Sequence, residues 1–197
     1  ALARTLAAEM HSGFAVLRSE CPMNLRLAYA ASPISDALLR DLRRVEEIWT
    51  RSIKASGGQW LCGRYSAADA FFAPVAGRIA TYALPVDETA RSYVARHLSH
   101  PAFRRWRAMG LVDGPDLPQY QRDYPRTGWP GPSPIAARPV GAGPSENAAC
   151  PYSGKPVTHF LETGGRVFGF CNAFCRDKTV ADPEAWPAFA ALLHRTC

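Results

Sequence analysis

Apolar residues recur at helical spacing over the first 113 residues. Along the opening segment they return every three or four residues and mark one stripe, at Leu2, Leu6, Met10, Phe14 and Leu17. A second stripe comprises Leu38, Leu39, Leu42, Val45, Ile48, Trp49 and Ile53. Gly57 and Gly58 suit the end of that second helix. Two further helices are predicted, one over about residues 88–98 and one from "HPAFRRW", where Pro101 suits a first turn. The pattern predicts a helical bundle.

The stretch "GRYSAADAFFAP", residues 63–74, has the pattern of a helix start. Ser66 at the N-cap and Asp69 three residues later can form a capping box, in which each side chain bonds the backbone of the other. The carboxylate also stands at the positive end of the helix dipole. Losing either side chain is expected to cost about 0.5–2 kcal/mol. We therefore interpret Ser66 and Asp69 as a structural cap.

The pattern changes twice after residue 113. Residues 114–147 hold eight prolines and five glycines without an apolar period, which predicts a linker or a wrapping tail. In residues 148–197, "PVTHFLE", "TGG" and "RVFGF" predict a two-stranded hairpin, and a helix follows from about Asn172. The predicted core of this last region comprises Val157, Phe160, Phe168, Phe170, Phe174 and Trp186. The predicted fold class is mainly α, with regions 1–113, 114–147 and 148–197, the last a small α+β module.

Composition and charge narrow the class of protein. The chain is 47% apolar, and no apolar run approaches the roughly 20 residues that span a bilayer, so no membrane partner is expected. The formal charge is +6, but the first 113 residues hold 15 basic and 10 acidic residues in clusters of alternating sign. This favours a solvated helix face over a nucleic-acid surface. The opening residues lack the pattern of a secretion signal, so we expect a cytoplasmic protein without disulfides.

Three segments of the helical region resemble the C-terminal helical domain of glutathione S-transferases. They are "WLCGRYSAADAFFAPV", "AAEMHSGFAVLRSECPMNLR" and "HPAFRRW", and the resemblance covers about residues 1–112. It implies a small electrophilic substrate, glutathione as co-substrate, and a homodimer of the full-length protein. The family carries its glutathione site mainly on an N-terminal thioredoxin-like domain that these residues do not match. We therefore expect a fragment or processed product, without catalytic residues and inactive alone.

The same resemblance implies that the first helix lines the electrophile pocket. It makes Met10, His11, Phe14 and Arg18 candidate substrate-binding residues. Met10 and Phe14 lie on the apolar stripe and can equally be plain core. His11 and Arg18 are two helical turns apart and share a face, which could meet an anionic substrate, solvent or a second subunit.

Three cysteines near the C-terminus have the spacing of a soft-metal site. Cys150 precedes a tight "PYSG" turn, Cys171 leaves a predicted strand, and Cys175 lies one helical turn further on. Two thiolates at a helix start and one from a knuckle turn supply three corners of a tetrahedral site for zinc or copper. The helix start is also expected to lower the pKa values of these thiols.

Cys150, "FGFCNAFC" and "DPEAW" resemble the YHS/TRASH-type modules, which are small, treble-clef-like metal-binding domains. One departure leaves the fourth ligand open, because Ser153 stands where a second knuckle cysteine is expected. The alternatives are His159, Cys197, water or no ligand, and His159 can equally be a surface histidine. A degenerate module held by its apolar core is the alternative to a bound metal.

Three hypotheses of function follow from these patterns. The first is a glutathione S-transferase homologue whose helical half forms the electrophile pocket for conjugation or isomerisation. The second is a soft-metal-binding module, for zinc or copper, on a non-catalytic scaffold. The third is a structural protein that uses the transferase fold for dimerisation. The first is favoured because its resemblance covers the larger part of the chain.

Overall fold

The computed structural model describes residues 2–194, and it is mainly helical. Within this range there are eight α-helices: α1 Leu2–Ser12, α2 Ala15–Glu20, α3 Asp36–Ser56, α4 Ala67–Thr81, α5 Glu88–Ser99, α6 Pro101–Val112, α7 Ala173–Ala181 and α8 Pro187–Leu193. The same range contains five strands: β1 Ala28–Tyr29, β2 Arg126–Thr127, β3 Arg138–Val140, β4 His159–Thr163 and β5 Arg166–Phe170. The prediction of a mainly helical region followed by a small sheet is confirmed. Among these helices, none combines the length and apolar character that crossing a bilayer requires.

Contacts between residues divide the chain into two compact units, each built from two separate stretches. The first unit combines the residues up to Ser99 with Asp116–Gly131, and the second combines His100–Pro115 with the residues from Pro132 onward. Helix α6 therefore belongs to the second unit, although its sequence was predicted to lie in the first region, 1–113. The proline-rich segment is shared between the units, and its strand β2 pairs antiparallel with β1 in the first.

The first apolar stripe is divided between two helices. The chain leaves α1 at Gly13, whose N–H donates to the Glu9 carbonyl at 2.8 Å, and a Cβ there would lie only 2.8 Å from the same oxygen. Phe14 then takes a left-handed backbone conformation, with φ 60°, before α2 begins. Treating this segment as one helix was therefore wrong, but the stripe still faces the core. Its buried members are Leu6, Met10, Phe14 and Leu17.

Helix α3 has the predicted stripe and the predicted end. Its N-cap Ser35 accepts the Leu38 N–H at 3.0 Å, and its C-cap Gly57 is left-handed with φ 65°. Trp49 packs in the core against Phe72, with ring centroids 5.8 Å apart. The buried members of the stripe are Leu38, Leu42, Val45, Ile48 and Trp49.

Helix α4 begins at the capping box. The Asp69 carboxylate accepts the backbone N–H and the hydroxyl of Ser66, each at 2.8 Å. Asp69 is fully buried, and its other oxygen accepts the Leu61 N–H at 3.0 Å and the Tyr93 hydroxyl at 2.8 Å. Burial, with the adjacent carboxylate, raises the pKa of the Tyr93 phenol. Asp69 thus joins α4 to the segment before it and to α5.

The second unit contains a three-stranded antiparallel sheet of order β3-β4-β5. The predicted hairpin is formed by β4 and β5, with both turn residues, Gly164 and Gly165, at positive φ. Strand β3 pairs with β4 and forms one edge of the sheet, with Pro139 opposite Leu161. Proline is tolerated in an edge strand, because its missing N–H faces the side that has no neighbouring strand. Strand β3 was not predicted, because it lies inside the proline-rich segment.

The core of the second unit differs in part from the predicted one. Phe168, Phe170 and Trp186 are buried, as predicted, whereas Val157 and Phe160 are only partly buried. The prediction is wrong for Phe174, which is 43% exposed. Its ring lies 5.6 Å from the Lys178 ammonium instead. Other buried members of this core are Ala108, Cys150, Leu161, Ala185 and Phe189.

Candidate metal centre

Cys150 is held in a tight turn before the hairpin. Its N–H donates to the Lys155 carbonyl at 2.8 Å, and its own carbonyl accepts the Gly154 N–H at 2.9 Å. Gly154 is left-handed with φ 69°, a conformation that glycine adopts without strain. The turn buries Cys150 against the core and fixes its side chain beside the end of β5.

Cys171 and Cys175 flank the start of α7. Cys171 follows β5, and the Thr158 hydroxyl donates to its carbonyl at 3.0 Å. Asn172 is the N-cap of α7 and accepts the Cys175 N–H at 2.8 Å, which places Cys175 in the first helical turn. The strand end and the capped helix therefore determine the spacing of the two thiols.

The three sulfur atoms lie together. The Sγ atoms of Cys150, Cys171 and Cys175 are all within 4.8 Å of one another. In the described range 2–194, this is the one group of three or more histidine, cysteine, aspartate or glutamate side chains placed to share a metal ion. Such a donor set suits zinc or copper(I), since both bind cysteine thiolates.

Polar groups approach the sulfur of Cys171. The Ser153 hydroxyl donates to this Sγ at 3.2 Å, and the side-chain amide of Asn172 donates at 3.4 Å. Hydrogen bonds to a sulfur orient it as a metal ligand. Ser153 therefore lies next to the cluster as a hydrogen-bond donor.

The thiols differ in acidity. Burial raises the pKa of Cys150, but hydrogen bonds from the backbone of Cys171 and Tyr152 and from Ser153 outweigh it and lower the pKa to about 7. Burial and the neighbouring Cys150 thiolate raise the pKa of Cys175 to about 11. The expectation that the helix start lowers the pKa values of these thiols is wrong for Cys175, because burial, and then repulsion by the neighbouring Cys150 thiolate, raise its pKa instead.

The structure does not bring His159, one candidate fourth ligand, into the cluster. His159 opens β4, its Nδ1 lies 2.9 Å from the Thr158 hydroxyl, and it is not among the grouped side chains. Cys197 lies outside the described residues. Within residues 2–194 the cluster therefore offers three thiols.

Three of the four predicted substrate-binding residues border one cavity in the first unit. Met10, His11 and Arg18 line this cavity, whose volume is about 500 Å³. The Arg18 guanidinium donates to the carbonyls of Met10 and His11, the second at 2.8 Å. Phe14 is buried instead, with its ring centroid 6.4 Å from that of Phe72.

One charged residue at this cavity was not among the predicted site residues. Arg78 of α4 also borders it. A signal was present, because Arg78 is the one charged residue in the otherwise apolar helix after Asp69. A larger cavity of about 700 Å³ in the same unit, with apolar walls that include Ile79, Leu84 and Leu98, had no sequence signal.

No protein-family model, no curated protein and no solved structure matches the chain. The two family resemblances of the sequence therefore stay predictions.

Proposed function

We propose that the chain binds a soft metal ion, zinc or copper, through the thiolates of Cys150, Cys171 and Cys175. The observation that carries this proposal is the grouping of the three Sγ atoms within 4.8 Å of one another. The cysteines come from two segments that are about twenty residues apart, so local sequence alone does not bring them together. Soft thiolate donors favour zinc and copper(I) over the hard cations magnesium and calcium.

The surroundings support a pre-organised site. Each cysteine is held by backbone hydrogen bonds of a turn, a strand end or a capped helix. The Tyr152 hydroxyl lies 2.6 Å from the hydroxyl of Thr179, which donates to the Cys175 carbonyl at 2.7 Å. A network of this kind fixes the ligands before the ion binds, which reduces the entropy lost on binding.

Metal content tests the proposal against a module held by its apolar core alone. Protein purified without chelator is expected to hold about one ion of zinc, copper or iron per chain, measured by mass spectrometry. A chelator is then expected to lower the melting temperature, because an ion that binds only the folded state stabilises it. Metal-free protein whose melting responds neither to chelator nor to added zinc contradicts the proposal.

Zinc binding is expected to weaken as the pH falls. At neutral pH the Cys175 thiol, with a pKa of about 11, carries a proton that the metal must displace. The affinity therefore falls at least about tenfold per pH unit. Below about pH 7 Cys150 also becomes protonated, which steepens the fall. Competition with a chromophoric chelator measures the affinity at each pH, and an affinity independent of pH rules out these thiols as ligands.

A second candidate function is the electrophile-holding half of a glutathione transferase. It is favoured by the cavity that Met10, His11 and Arg18 border. The family resemblance implies that these 197 residues alone do not conjugate glutathione. Absorbance of a chromogenic electrophile with glutathione checks this, with the uncatalysed rate as baseline. Turnover well above that rate would contradict the proposal that the glutathione-activating residues lie in a separate thioredoxin-like domain.

A further inference from the structure

Two arginine side chains line the 500 Å³ cavity of the first unit. Arg18 comes from α2 and Arg78 from α4, while His11 stands at the end of α1. No acidic side chain is present among the described residues that line this cavity. The cavity therefore carries positive charge without a carboxylate in its wall.

Both guanidinium groups are oriented by backbone carbonyls. Arg18 donates through Nη2 to the carbonyls that end α1. Arg78 donates through Nε to the Cys21 carbonyl at 2.8 Å and through Nη1 to the Pro74 carbonyl at 3.3 Å. Carbonyl oxygens direct a guanidinium but carry no full charge to neutralise it. Within residues 2–194, neither arginine forms a salt bridge.

The positive charges of Arg18 and Arg78 repel one another. Burial, and then the charge of Arg18, lower the pKa of Arg78. Each group is only partly exposed, so water screens this repulsion less than at an open surface. An anion between the two groups would relieve the repulsion, and guanidinium groups bind carboxylates through paired hydrogen bonds.

The rest of the wall is apolar. Phe71 is 44% exposed, unlike most large apolar side chains of this unit, and it borders the cavity with Met10 and Pro74. An apolar wall beside a charged end favours a ligand that carries both kinds of surface. We propose that this cavity binds a small organic anion, with its carboxylate at Arg18 and Arg78 and its apolar body against Phe71. The inference rests on the first unit alone, not on the metal centre or on transferase activity.

A matched pair of probes tests the proposal on the full chain. 1-Naphthoate carries the carboxylate, and 1-naphthamide is its neutral analogue of nearly the same shape. Calorimetric titration is expected to show naphthoate binding at least about tenfold more tightly than naphthamide, since hydrogen bonds to a charged group are the stronger ones. Added salt is expected to weaken naphthoate binding only.

Variants locate the site. Arg18→Gln and Arg78→Gln are each expected to weaken naphthoate binding about tenfold and to leave naphthamide binding unchanged. Arg78→Lys keeps the positive charge and is expected to retain part of the preference for naphthoate over naphthamide. It therefore distinguishes loss of the charge from loss of folding. Arg91→Gln is the matched control, because Arg91 is exposed and pairs with Glu88 at 3.1 Å.

Each possible result of these titrations either supports or contradicts the proposed anion site. Equal affinity for both probes, or no naphthoate binding at millimolar concentration, overturns the proposal. So does a preference that survives in both glutamine variants, because the anion would then bind elsewhere. A preference lost in Arg18→Gln or Arg78→Gln, but kept in Arg91→Gln, supports the site, whatever the metal content of the same preparations.

Discussion

Replacing Cys175 by serine is expected to reduce the bound metal from about one ion per chain to near none, with zinc affinity weakened more than about 100-fold. The reason is that a serine hydroxyl is a poor zinc ligand, so only two thiolates remain. Changes to groups that merely support a ligand already cost about 10–100-fold, and loss of a ligand costs more. Metal content by mass spectrometry and zinc titration against a competing chelator measure the effect.

The chain offers two matched variants for this experiment. Cys62→Ser removes a partly buried thiol outside the triad and is expected to leave the metal content unchanged. Ser153→Cys introduces a thiol where the hydroxyl lies 3.2 Å from the Cys171 sulfur, and it is expected to tighten zinc binding by completing four thiolates. If Cys175→Ser keeps its metal at wild-type affinity, the assignment of the triad as the metal site is wrong.

Replacing Asp69 by alanine is expected to destabilise the first unit by about 3–5 kcal/mol, well above the cost of losing a cap. The substitution removes the acceptor for the N–H of Leu61 and the hydroxyl of Tyr93, both buried. A buried donor left without an acceptor costs about 1–3 kcal/mol, and the lost cap adds to this.

Urea unfolding measures the change in stability, and hydrogen exchange at the Leu61 amide localises it. Ser66→Ala is the matched control, because it perturbs the same capping box but leaves the two buried donors bonded, and it is expected to cost about 0.5–2 kcal/mol. If Asp69→Ala lowers the free energy of unfolding no more than Ser66→Ala does, the hydrogen bonds from Leu61 and Tyr93 to Asp69 contribute little to stability.

Local signals explain which parts of the fold the sequence could predict. The end of α3 at Gly57 and the start of α6 at Pro101 depend on residues within one helical turn. The turn at Gly164 and Gly165 likewise follows from two adjacent glycines that tolerate positive φ. These elements could be placed without knowing what they pack against.

Tertiary contacts explain what the sequence could not predict. Phe14 takes a left-handed conformation that costs an ordinary residue about 1–2 kcal/mol, so packing must override its local preference. The capping role of Asp69 is local, but its bond to Tyr93 joins residues 24 positions apart. Arg104 binds Asp182 through two hydrogen bonds, of 2.8 and 2.6 Å, across 78 positions, and no local pattern predicts that α6 joins the second unit.

The local features of the candidate metal centre could likewise be predicted from the sequence, and the features that depend on tertiary contacts could not. The spacing of Cys171 and Cys175 is local, and the turn after Cys150 is recognisable, so the triad could be proposed from the sequence. The pairing of His159 with Phe170 fixes the hairpin register, and His159 is not brought into the group. The pKa of Cys175 is raised first by burial and then by the nearby Cys150 thiolate, and sequence spacing shows neither.

The alternation of the two units along the chain has a consequence for synthesis on the ribosome. Strand β1 pairs with β2, so the first unit stays incomplete until about residue 131 has been translated. By then α6 has already been translated, ahead of α7, with which it packs. No single cut in the gene releases both units whole, and separating them requires a circularly permuted or split coding sequence.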